Sequence, residues 1–91
     1  MYYVYVLLSD STGHRYVGQT GDLDRRLAEH NNPGHNPHKF TSRHRGPWRL
    51  VHSEALASRA EAMRRERWLK SGAGRRWLDG LLGRASPPVA D

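Results

Sequence analysis

The stretch Tyr2 to Leu8 reads Tyr-Tyr-Val-Tyr-Val-Leu-Leu, and it limits what this chain can fold into more than any other. Aromatic and β-branched residues favour a pleated strand, and the run is too short for a helix. Ser9 to Gly13 (Ser-Asp-Ser-Thr-Gly) is turn chemistry, and Arg15 to Gly18 resumes strand character. Together they predict an antiparallel hairpin with a loop of about five residues. Its register is expected to bring Tyr5 to within a residue or so of Tyr16.

A hairpin alone cannot bury a core, so the remaining chain must cover it. Thr20 or Asp22 is placed to cap a helix in which Leu23, Arg26, Leu27 and His30 share one face. Asn31 to Pro47, with three prolines, two glycines and three asparagines, predicts a long loop. Trp48 to Ser53 predicts a third strand, with Trp48, Leu50 and, by continued alternation, His52 on one side. Ser58-Arg59-Ala60-Glu61 is a capping box opening a helix to about Lys70, which Ser71-Gly72 ends. A last helix, around Gly74 to Leu82, is expected to cover the sheet with Trp77, Leu78 and Leu81. Residues 84–91, with two adjacent prolines, read as a flexible tail after a single domain at residues 1–83. The order predicts an α+β fold: a small three-stranded antiparallel sheet flanked by helices.

Composition narrows the function. The 91 residues suffice for one thin core, at 36% apolar content and a mean hydropathy of −0.86. No run is long enough for a membrane span, and no leader of signal-peptide type opens the chain. With no cysteine either, a cytoplasmic protein is expected, without disulfides or thiolate metal sites. The formal charge of +6 and pI near 10.5 favour polyanions, and thirteen of fifteen basic residues are Arg, suited to bidentate phosphate contacts. Codon bias in a GC-rich genome produces similar numbers, so charge alone does not separate a nuclease from a ribosome-associated protein.

Two predicted helices carry a charge where their pattern calls for a hydrophobe. Arg26 falls between Leu23 and Leu27, and Glu66 lies at helical spacing among Ala62, Met63 and Leu69. A buried charge is costly unless paired or metal-bound. The two could pair with each other. With Tyr5, Tyr16 and His30 able to converge on them, however, the set holds a metal ligand, a phosphate clamp and proton carriers, as phosphodiester hydrolysis requires.

The same residues resemble the signatures of a known family. Tyr3-Val4-Tyr5, ahead of Tyr16-Val17-Gly18, is similar to the paired motifs of GIY-YIG nucleases, with Tyr3 in place of the opening Gly, as in small stand-alone members of URI type. Gly18-Gln19-Thr20, Asp22-Leu23, Arg26-Leu27 with His30, Lys39-Phe40-Thr41-Ser42-Arg43, and Ala62 through Lys70 continue the resemblance in order over roughly residues 2 to 80. It implies a metal-dependent endonuclease. Glu66 would be the one carboxylate on a Mg2+ or Mn2+ ion, and Arg26 would neutralise charge on the scissile phosphate. Tyr5 and Tyr16 would orient the attacking water, with His30 a competing base. From their charge, Lys39, Arg43 and Arg45 are expected to contact the nucleic-acid backbone, and Lys70 to reach phosphate or cap its helix. DNA is the expected substrate, in repair or recombination, with a second copy or a protein partner supplying selectivity. The alternative is a non-catalytic nucleic-acid-binding module of the same fold. His35 and His38 are not expected to make a zinc site, because four placed ligands are not evident.

Overall fold

The computed structural model describes residues 1–32, 34, 41 and 45–83. The expected tail and the loop residues Lys39 and Arg43 lie outside them. The elements are β1 (Tyr2–Ser9), β2 (Arg15–Thr20), α1 (Leu23–Asn31), β3 (Trp48–Leu56), α2 (Arg59–Leu69) and α3 (Gly72–Leu82). The sheet is antiparallel with the order β2-β1-β3, so the predicted α+β architecture holds.

β1 has no polar alternation because, as the central strand, it is buried on both faces. Val4 and Val6 pack on one side with Ala62, Leu69 and Leu78 of α2 and α3. Tyr5 and Leu7 pack on the other with Trp48, Tyr16, and Leu23 and Leu27 of α1. The hairpin turn is closed by Gly13, whose N–H donates to Ser9 O at 2.9 Å. The resulting register sets Tyr5 opposite Gly18 and Leu7 opposite Tyr16. Tyr16 is therefore a diagonal neighbour two places from Tyr5, further than the sequence suggested.

β3 runs past its expected end and contains an irregularity the alternation rule could not foresee. Val6 pairs with His52 but Leu7 pairs with Leu50, leaving Val51 as an extra residue. Such a bulge reverses which face later residues occupy. Trp48 and Leu50 stay with Tyr5 and Leu7, while Val51 joins the Val4 and Val6 side. His52 follows Val6 and meets Trp77 of α3 edge-on, so it does not share a side with Trp48.

The starts of α1 and α2 follow their sequence signals, whereas Ser71, expected only to end α2, caps α3 by accepting from Gly74 N–H. Asp22 caps α1 by accepting from Arg25 N–H, while Thr20 Oγ1 accepts from Asp22 N–H. Ser58 caps α2 by accepting from Glu61 N–H, and the Glu61 carboxylate takes the Ala57 N–H. At the far end of α1, the Asn31 amide grips the Trp48 backbone through both its N–H and its carbonyl, which fixes α1 to the start of β3.

The outer faces of α2 and α3 differ from expectation. Met63, Trp77 and Leu81 are 44%, 39% and 52% exposed, so Leu78 with Leu82 carries the core packing of α3, while Trp77 meets the sheet at His52. Trp77 finds another role. Glu54 grips Arg65 with both carboxylate oxygens, at 2.8 and 3.0 Å. The Arg65 guanidinium in turn lies over the rings of Trp68 and Trp77, at 4.7 and 5.0 Å from their centroids. α3 can approach the end of α2 this closely because Gly74 has no side chain: a Cβ there would lie 2.1 Å from Trp68 O.

Candidate active site

Residues i and i+2 of a strand share a face, so Tyr16 and Gly18 of β2 lie beside Tyr5 of β1. A Cβ on Gly18 would be 2.7 Å from Tyr5 Oη and 2.9 Å from Tyr16 Cε2. The missing side chain is what lets the two rings occupy one face, with centroids 6.0 Å apart. Close approach of the two rings is what requires a glycine at position 18.

α1 brings His30 to this pair from its last turn. His30 Nε2 is 2.9 Å from Tyr5 Oη, and His30 Nδ1 is 2.8 Å from Thr41 Oγ1. The imidazole centroid lies 4.7 Å from that of Tyr16. Tyr5, His30 and Thr41 are 1%, 3% and 5% exposed, so the chain of three polar groups is sealed from bulk water. Tyr16 is only half-buried and forms the outward side of the cluster.

Arg26, half-buried one turn before His30, sends its Nε toward Thr20 Oγ1 at 3.4 Å and a terminal nitrogen to 3.8 Å from Glu29 Oε1. Glu66 approaches from α2 with its side chain 22% exposed, and its Oε2 is 2.6 Å from Lys70 Nζ. The ion pair of Glu66 is thus with Lys70, not with Arg26. The field of the site is felt at Tyr5, whose hydroxyl is pushed well above its ordinary pKa by burial first and then by Tyr16. Arg26 pulls it back and Glu66 adds to the rise. Tyr5 therefore stays a phenol across the physiological range.

The donor set of the site limits which metal it suits. Among the described residues no group of three or more His, Cys, Asp or Glu could hold an ion. His35 and His38 lie outside the described residues, and one carboxylate suits a hard cation that keeps waters and takes substrate phosphate. Arg45 is exposed, with its carbonyl held by Ser9 Oγ and Ser11 Oγ at the hairpin turn. Lys39 and Arg43, expected beside it, are outside the described residues.

Of the five residues singled out in the sequence, Tyr5, Tyr16 and His30 lie together on one face of β1 and β2, Arg26 stands one turn before His30 on α1, and Glu66 sits on α2, whose Ala62 and Leu69 pack on the opposite face. Sequence reading missed Thr41 and Asn31, which sit in or beside the long connection where no periodicity marks a residue as inward. No described helix is long and apolar enough to cross a membrane.

The model of the GIY-YIG catalytic domain matches residues 1–76. The UPF0213 protein VNG_2274C of Halobacterium salinarum is 46% identical over 70 residues, covering 77% of this chain and 86% of that protein. The UPF0213 protein NP_0776A of Natronomonas pharaonis is 45% identical over 71 residues, covering 77% and 78%. The solution NMR structure of the UPF0213 protein BH0048 from Bacillus halodurans is similar over 97% of this chain and 89% of that one, with a TM-score of 0.51 and 40% identity.

Proposed function

The chain belongs to the GIY-YIG family of nuclease domains, and from that premise we propose that it is an endonuclease hydrolysing phosphodiester bonds of DNA with one Mg2+ or Mn2+ ion. The observation that carries the reading is the contact of two tyrosines with a buried histidine on one face of the sheet, with Arg26 one turn before that histidine on the same helix. An ion-pair network serving stability alone has no need of a buried phenol–imidazole chain beside a half-exposed guanidinium.

Glu66 is the residue to hold the ion, which when bound supplies charge neutralisation at phosphate and acidifies water. Arg26 clamps the scissile phosphate, where a fixed guanidinium fork stabilises charge as it develops. Tyr16, at the outward side, orients the attacking water. Tyr5 is a poor base by itself, because its burial disfavours the phenolate. Its hydroxyl proton instead moves to His30 Nε2 as Tyr16, hydrogen-bonded to Tyr5 and taking up the water proton, passes on its own, since an imidazole accepts protons near neutral pH. Arg45 and Lys70, together with Lys39 and Arg43, track the phosphate backbone. So small a domain reads few bases, and a second copy or a protein partner supplies selectivity. A cytoplasmic setting in repair or recombination suits the cysteine-free chain.

The purified protein should nick supercoiled DNA with Mg2+ or Mn2+ and not with EDTA. Glu66→Ala should abolish nicking yet leave binding intact and steeply salt-dependent. Cutting by Glu66→Ala at the parent rate sinks the assignment. Salt-sensitive binding without cutting under either metal instead identifies a non-catalytic module.

A further inference from the structure

Tryptophan carries a large apolar surface that is costly to leave in water, yet two stand on the outer flank of the helical layer. Trp68 of α2 and Trp77 of α3 are 38% and 39% exposed, with ring centroids 6.0 Å apart and planes inclined by 64°. Neither ring is loose. Glu54 of β3 holds the Arg65 guanidinium with both carboxylate oxygens, and that guanidinium lies over both rings. Trp77 is braced a second time by the edge-on ring of His52. What stays exposed is therefore a pair of aromatic surfaces already fixed in place, on which a stacking ligand loses little to ordering.

The surroundings select the ligand. Residues 59–82 carry seven of the fifteen basic residues and three of the nine acidic ones, so the helical layer attracts anions. Arg64 precedes Trp68 by one helical turn, and Arg76 adjoins Trp77 in the chain. Both arginines are exposed and make no ion pair among the described residues. The acids on this flank are engaged, Glu54 by Arg65 and Glu61 by the Ala57 N–H. A second copy packed isologously on this face would set the arginines against one another. Aromatic surfaces beside open guanidinium groups suit instead a strand whose bases are free to stack and whose phosphates lie alongside. We propose that this flank of α2 and α3 is a second nucleic-acid site, which takes an unpaired strand by stacking bases on Trp68 and Trp77 and placing phosphates on Arg64 and Arg76. It is separate from the candidate active site. Trp68 follows Glu66 by two residues, roughly 200° around the helix, so the two side chains leave opposite sides of α2. His52 and Glu54 tie the rings to β3, whereas Tyr16 and Gly18 lie on β2 at the other edge of the sheet. Binding here needs neither the ion nor cleavage, so it goes beyond the endonuclease reading without resting on it.

The test is a titration of the full chain in EDTA with an oligothymidylate of about 12 nucleotides, within the span of single-strand sites. It is read by tryptophan fluorescence and by the anisotropy of a labelled copy of the strand. The strand should quench the emission, and because Trp48 is only 3% exposed the quenching should come from Trp68 and Trp77. Trp68→Ala or Trp77→Ala should weaken binding about tenfold. Trp68→Phe combined with Trp77→Phe should keep most of the affinity, since phenylalanine also stacks, while losing the quenching. Arg64→Gln combined with Arg76→Gln should lower the slope of log affinity against log salt by about 1.4, at about 0.7 per phosphate contact. Parent affinity in the Ala variants, or quenching that survives in the double Phe variant, overturns the proposal. A dimer in sedimentation that Trp68→Ala dissolves, in a protein the strand does not quench, assigns the face to a second copy and also overturns it. If an Ala variant does not fold, the parent quenching and the double Phe variant still decide. A parent that binds the strand in this way but never nicks removes the endonuclease reading and leaves the second site standing.

Discussion

Gly18→Ala adds one methyl group to the centre of the site. The new Cβ would meet Tyr5 Oη at 2.7 Å, Tyr5 Cζ at 2.9 Å and Tyr16 Cε2 at 2.9 Å, all closer than carbon tolerates. Tyr5 cannot retreat freely, because it is fully buried and its hydroxyl is engaged with His30. Overpacking of this kind costs about 1–3 kcal/mol. Replacing glycine inside a strand returns about 0.5–1 kcal/mol through reduced chain entropy. The net expectation is about 0–2.5 kcal/mol of lost stability. Each kcal/mol lowers the midpoint of a domain this small by roughly 4–8 °C. The alternative route is for the Tyr5 ring to rotate away, which spares stability but breaks the bond to His30. Thermal melting followed by circular dichroism, together with the His30 ring signals, separates the two routes. In either case nicking should fall sharply. A variant with the parent midpoint, the parent His30 spectrum and the parent rate would refute the packing argument.

Gly74→Ala should be more damaging still, since its Cβ would lie 2.1 Å from Trp68 O and 2.5 Å from Leu69 Cα, both backbone atoms. Gly80→Ala in the same helix meets nothing within 4 Å, and urea melts should show it stabilised by about 0.5–1 kcal/mol; equal effects at the two positions contradict the α2–α3 approach. Lys70→Met removes a cation from Glu66, so Mn2+ should bind the free protein about two- to fivefold more tightly by calorimetry, matching the worth of an exposed ion pair. Weaker binding would show that Lys70 does not compete for that carboxylate. Glu54 is held below its ordinary carboxylate pKa, first by its hydrogen bonds from Arg65. A depressed folded pKa gives stability that is present above the unfolded value of 4.5 and is lost as pH falls through the lower folded value. Urea midpoints should therefore drop below about pH 4.5 in the parent and less so in Glu54→Gln.

The parts legible in the sequence were those with local signals. The Tyr2–Leu8 run, the turn chemistry after it, the Ser58–Glu61 cap and the helical spacing that made Arg26 and Glu66 conspicuous all act within a few residues along the chain. Periodicity and capping are short-range physics, so they gave the elements, their order and the candidate site. What they could not give depends on partners far apart in sequence. Tyr5 meets His30 across 25 positions, and His30 meets Thr41 across 11 in a stretch without period. The bulge at Val51, which turns His52 toward Trp77, exists only in the pairing of β3 with β1. The ion partner of Glu66 turned on side-chain direction in the folded helix rather than on the presence of an Arg elsewhere. The amino-acid sequence by itself thus determined which chemical groups the chain carries and on which element each sits. Only the tertiary structure decided which of them touch and which lie buried, because desolvation and hydrogen-bond geometry exist only once distant segments are packed together.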